Sequence, residues 1–229
     1  MTDNIQSIRY GTLDPSVDRN KVLRNTYWLL ALSLLPTVLG AWVGVESGIT
    51  RSLTGGLGML VYLAIAFGFI FAIHKTKNSG LGVPVLLGFT FFMGLMLSGL
   101  LGMVLQFKNG PSLVMLAFGG TAGVFFTTAS MATIIKRDLS GMGKWLFWGL
   151  MVLVVGGIIN VFVGSTAGMA VLSTLSIAIF SAYMLFDIKR VIDGGETNYI
   201  SATLAIYLDL INIFQSLLSL LGLFGGQRD

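Results

Sequence analysis

Two carboxylates stand where an apolar chain has no ordinary use for them. Asp209 lies between Leu208 and Leu210, near the middle of the apolar stretch Tyr199–Phe224, and Asp187 lies in the apolar stretch before it. An acid at the centre of a bilayer costs about 2.5–3.5 kcal/mol or more, so acids at that depth mark places that handle protons or cations. The other acids fall in tails, turns or segment ends, where water solvates them. If Asp187 and Asp209 meet at low dielectric, they share one proton and titrate as a unit, because two ionised carboxylates there repel. Such a pair is a proton-sensitive bolt, closed when bridged by a proton and loosened when ionised or when a cation takes the proton's place. An ideal hairpin centred near Gly194 sets Asp187 opposite residue 202 and Asp209 about 10 Å deeper. Contact then needs non-helical chain at the start of the last segment, or a strong tilt. Otherwise each acid finds a separate partner, such as Tyr183, Tyr207 or Asn212.

The elements that must position these acids are helices in a membrane. The 229 residues are 55% hydrophobic and 10% charged, against about 25% charged in an ordinary soluble domain. Seven apolar runs follow a polar tail: Leu23–Val45, Ser52–Ile73, Val83–Leu105, Ser112–Ile135, Lys144–Val163, Gly168–Ile188 and Tyr199–Phe224. Each is about 20 residues or longer, enough helix for a hydrocarbon core about 30 Å thick. The expected fold is an all-α polytopic membrane protein, a seven-transmembrane-helix bundle (22–229) behind a flexible N-terminal tail (1–21). Short loops predict that consecutive helices pair as antiparallel neighbours. Of the 14 lysines and arginines, only Arg51, Lys108 and Arg228 fall on the side opposite the N-terminus. The positive-inside rule then sets the N-terminus in the cytoplasm and the C-terminus outside.

Other chemistry finds little to stand on. There is no cysteine, which excludes disulfides and thiolate metal sites. The basic residues cluster at segment ends and read as topology determinants, not as a nucleic-acid surface. No zinc-binding helix motif and no nucleophile elbow occurs, so an enzyme is not expected. The single histidine, His74, is either a solvated interfacial side chain or a proton sensor. Gly40 with Gly44, and Gly119 with Gly123, have the spacing that lets helix backbones approach, within the bundle or across a dimer face.

Specific phrases carry a resemblance. "FDIKRVI" at Phe186–Ile192 and "IYLDLINIFQSLLSLLG" at Ile206–Gly222 resemble the Bax inhibitor (TMBIM) family. So do "KVLRNTYWLLALSL" at Lys21–Leu34, "GGTAGVFF" at Gly119–Phe126 and "GGETNYISATLAIY" at Gly194–Tyr207. The resemblance implies a multi-pass protein of the bacterial inner membrane, with the lipid bilayer and an FtsH-type ATP-dependent protease as partners. That protease would seize the cytoplasmic tail at its start, Met1, Thr2, Asp3 and Asn4. It also implies a pH-sensitive calcium leak in other bacterial members, in which Asp187 and Asp209 are the proton- and cation-sensing positions and calcium is the permeant ion. No cofactor is implied. Leak members carry an arginine in the second span that latches the pair; the second and third spans here have none, so the latch is either missing or supplied from elsewhere, for instance by Arg24.

Overall fold

The computed structural model describes residues 15–50 and 55–227. Among them are seven helices: α1 (Pro15–Ser47), α2 (Gly55–Thr76), α3 (Gly82–Val104), α4 (Gly110–Ile134), α5 (Met142–Val163), α6 (Thr166–Ile192) and α7 (Tyr199–Gly225). Six are long and apolar enough to cross a membrane; in α2 the apolar part is the shorter run Leu60–Thr76. Hydrocarbon offers backbone amides no water, and a helix satisfies them within its own segment. The chain is therefore an all-helical membrane bundle, and its helices lie close to the seven apolar runs. The largest difference is at α1, which starts at Pro15 and so extends two turns ahead of its apolar run. Proline suits a first helical turn, where its missing N–H has no partner to lose. Met1, Thr2, Asp3 and Asn4 lie outside the described residues.

Consecutive helices do not all pair. α1 does not pack on α2, nor α4 on α5; α1 lies instead along α3 in the most extensive helix contact of the bundle. Two glycines explain the exchange. A Cβ on Gly94 would stand 2.0 Å from the carbonyl oxygen of Thr37, and one on Gly40 would stand 2.1 Å from that of Phe91. Each backbone touches the other, an approach that only glycine permits. Gly119 and Gly123 meet nothing within 4 Å.

α7 is the hub. It packs on α1, α2, α3, α4 and α6, whereas among the described helices α5 packs on α6 alone. Tyr207 of α7 is fully buried beside Phe89, Leu86, Ile206 and Ile213. An aromatic chain reaches it from α2: Tyr62 stacks on Phe92, Phe69 lies against both Phe92 and Phe89, and Phe89 meets Tyr207 edge-on. An asparagine ties down each end of α7. Asn198 accepts from the N–H groups of Ile200 and Ser201 and donates to Lys77 O (3.1 Å) and Asn78 Oδ1 (2.9 Å) in the α2–α3 turn. Asn109, in the α3–α4 turn, donates to Gly225 O (2.7 Å) and accepts from Gln227 N (3.0 Å).

Candidate functional site: a carboxyl pair between α6 and α7

Asp187 precedes Ile192, the last residue of α6, by five residues, and Asp209 follows Tyr199, the first residue of α7, by ten. Measured along each helix from the shared turn, the acids stand at depths of about 7.5 Å and about 15 Å. The carboxyls nevertheless approach each other closely enough to interact. Two features close the gap. Residues 193–198 are non-helical, and Asn198 is extended, so α7 need not begin level with the end of α6. In addition, side chains lean towards their own helix N-terminus. On antiparallel neighbours this tips Asp187 deeper and Asp209 shallower, each towards the other. Gly194 makes the turn, at φ 80°, in the left-handed region that glycine enters freely.

A hydrogen bond between two carboxyls requires a proton on one of them. Asp209 is 4% exposed and its Oδ2 has no partner. Asp187 is half-buried, with the charges of Arg190 and Glu196 in range. Those two also face each other at 3.9 Å. Tyr183, one turn before Asp187 on α6, lies within electrostatic range of both acids. Two carboxyls supply at most four oxygens, and no group of three His, Cys, Asp or Glu side chains forms among the described residues. A resident calcium ion takes six to eight oxygen ligands, so a cation at this pair would keep much of its water.

A family model described as "Inhibitor of apoptosis-promoting Bax1" matches residues 19–226. The chain belongs to the Bax inhibitor family. It is 37% identical over 203 residues to a protein of Escherichia coli K12 named "Modulator of FtsH protease YccA", covering 89% of this chain and 90% of that one. An "Uncharacterized membrane protein" of Vibrio cholerae is 38% identical over 215 residues, 94% and 95% of the two chains. A protein of Pseudomonas aeruginosa is 33% identical over 205 residues, 90% of each. The apolar helices among the described residues, together with a relative from Escherichia coli O6:H1 named "Inner membrane protein YccA", make this a multi-pass protein of the bacterial inner membrane.

Not every residue expected at the site of this Bax inhibitor family member is there. Tyr207 faces away: its hydroxyl lies 2.9 Å from Thr37 Oγ1 and donates to Thr90 O at 3.4 Å, tying α7 to α1 and α3. It stands two residues before Asp209, nearly the opposite side of a helix with 3.6 residues per turn. Asn212 donates to Leu208 O in its own helix at 2.7 Å. Arg24 is exposed and forms no ion pair with either acid. The cation beside the pair is Arg190. His74 is exposed, and its Nδ1 lies 3.1 Å from Ile70 O.

Two features of the α6–α7 seam went unread in the sequence. Ser216 donates to Ser176 at 2.8 Å, and Ser173 donates to Ser219 at 3.4 Å. These bonds extend the polar contact between the two helices beyond the acids. Their signal was a mirrored spacing: serines three apart at 173 and 176, and again at 216 and 219. Arg190, at the end of α6, reads in the sequence as one more topology determinant.

Proposed function

We propose that this protein is a non-enzymatic membrane regulator that binds and modulates an FtsH-type membrane protease. One observation carries the reading: 37% identity, across 89% of the chain, to a protein named as a modulator of that protease. The distribution of lysine and arginine supports a cytoplasmic N-terminus and, with seven spans, an external C-terminus. The tail 1–21 is then on the side where the protease can seize it, beginning at Met1, Thr2, Asp3 and Asn4, while 22–229 stays in the membrane. Deleting Met1–Arg19 should slow turnover of the protein by FtsH and turn it into an inhibitor of the protease. Unchanged turnover together with unchanged protease activity would refute the reading.

A second reading is favoured by the buried carboxyl pair itself. In it, Asp187 and Asp209 gate a pH-sensitive leak that passes calcium when their shared proton leaves, with Tyr183 and Arg190 as supporting groups and no cofactor. Purified protein in liposomes should then pass calcium with a pH dependence that Asp209→Asn abolishes. Equal flux in wild type and variant at every pH would remove the acids from the mechanism.

A further inference from the structure

The α4–α5 loop carries cations that pair with no acid among the described residues. Lys136 and Arg137 follow the end of α4, Lys144 stands in the first turn of α5, and all three are exposed. None has an ion-pair partner among the described residues. Elsewhere at this end of the bundle the cations of the α6–α7 turn are engaged: Lys189 is bonded to Asp193, and Arg190 faces Glu196. The loop's one acid, Asp138, is turned inward on the loop. Ser140 donates to it through its backbone N–H (2.8 Å) and its hydroxyl (2.9 Å), which holds the carboxylate below the usual range and hence ionised. Asp138 also feels the charge of Lys189.

Aromatic side chains adjoin these cations. Trp145 is 80% exposed and Trp148 65%, both at the start of α5. Among the described helices α5 packs only on α6, which leaves this corner of the bundle uncovered by them. Indoles settle at headgroup depth, with one end apolar and the other wet. Basic side chains at that depth attract anionic lipid, each strengthening the attraction severalfold.

We propose that the α4–α5 loop and the start of α5 form a docking site for the headgroup of an anionic phospholipid, with Lys136, Arg137 and Lys144 around its phosphate and Trp145 and Trp148 against its glycerol region. Neither functional reading above requires a lipid ligand, so the site stands apart from both.

The tryptophans themselves report on it. In full-length protein carrying Trp28→Phe and Trp42→Phe, only Trp145 and Trp148 fluoresce. Reconstituted in phosphatidylcholine vesicles, this protein is titrated with brominated phosphatidylglycerol or, in parallel, brominated phosphatidylcholine. Phosphatidylglycerol should quench at a mole fraction about tenfold lower. The combined Lys136→Gln, Arg137→Gln, Lys144→Gln variant should lose that preference, and Lys75→Gln with Lys77→Gln at the α2–α3 turn should keep it. Should the triple variant fail to insert, the unsubstituted loop is compared at ionic strengths of about 0.01 M and about 1 M, where screening lengths differ about tenfold. The preference should collapse at the higher salt. Equal quenching by the two lipids, or a preference indifferent to both salt and the triple variant, overturns the proposal and leaves the cations to an acidic segment of a protein partner.

Discussion

Asp187 and Asp209 face each other across the α6–α7 seam, with Asp209 almost wholly out of water. A hydrogen bond between two carboxyls needs one proton held between them. Of the titratable and charged groups facing the pair, Arg190 opposes the negative charge, Glu196 adds to it, and Tyr183 is a neutral phenol at ordinary pH. Asp209→Ala leaves the Asp187 carboxyl without its neighbour and should cost about 1–3 kcal/mol. Asp209→Asn, which keeps a hydrogen-bond donor at the seam, should cost less, as melting of the detergent-solubilised protein would show. Equal melting of the two variants would mean that the pair does not hold the seam.

Tyr207 should behave as a structural residue. Its hydroxyl joins Thr37 and Thr90 and does not reach the acids. Tyr207→Phe should cost about 1 kcal/mol through the lost bond and leave the pH profile of melting unmoved. Tyr207→Ala should cost about 3–5 kcal/mol, the range for emptying a buried aromatic site. A Tyr207→Phe variant with an altered pH profile would return this residue to the acid site.

The seven helices were legible because charge is nearly absent from seven long runs and crowded between them, a one-dimensional signal. The positions of Asp187 and Asp209 were legible for the same reason. Their approach was not, because counting residues from Gly194 ignores both the non-helical chain at 193–198 and the opposite lean of side chains on antiparallel helices. Helix pairing was not legible either. Gly40 and Gly119 look alike in sequence, yet one meets a carbonyl of α3 and the other meets nothing. That difference lies in residues far along the chain. Tyr207 and Arg24 were assigned by proximity in sequence or by charge, and neither shows which way a side chain faces.

Asn198 does two jobs: it caps α7 and it fastens the start of that helix to the α2–α3 turn. Asn198→Ala should lose about 1 kcal/mol for the cap alone, with the two cross-turn bonds in addition. Asn198→Asp keeps an acceptor for Ile200 and Ser201 but cannot donate to Lys77 O, so it should recover part of the loss. Hydrogen exchange at the first turn of α7 would separate the contributions: protection there should fall in the order wild type, Asn198→Asp, Asn198→Ala. Equal protection in all three would mean that packing alone fixes this end.

The two kinds of glycine face give the sharpest contrast in stability. At Gly94 a methyl group would collide with the carbonyl of Thr37, a backbone atom that can move only if α1 moves with it. Thr37 also holds the Tyr207 hydroxyl, so displacing α1 disturbs α7 as well. Gly94→Ala should therefore cost about 1–3 kcal/mol, as overpacking does, and a leucine there should prevent α1 and α3 from closing at all. At Gly119 the same methyl group meets open space, and a helix interior favours alanine over glycine by about 0.5–1 kcal/mol. Gly119→Ala should be neutral or stabilising. Thermal melting of the two variants in one detergent decides the matter: Gly94→Ala should melt lower than wild type and Gly119→Ala no lower. Similar losses at both positions would mean that Gly119 packs against a neighbour in the membrane, for which a second copy of the chain would be the first candidate to test by cross-linking.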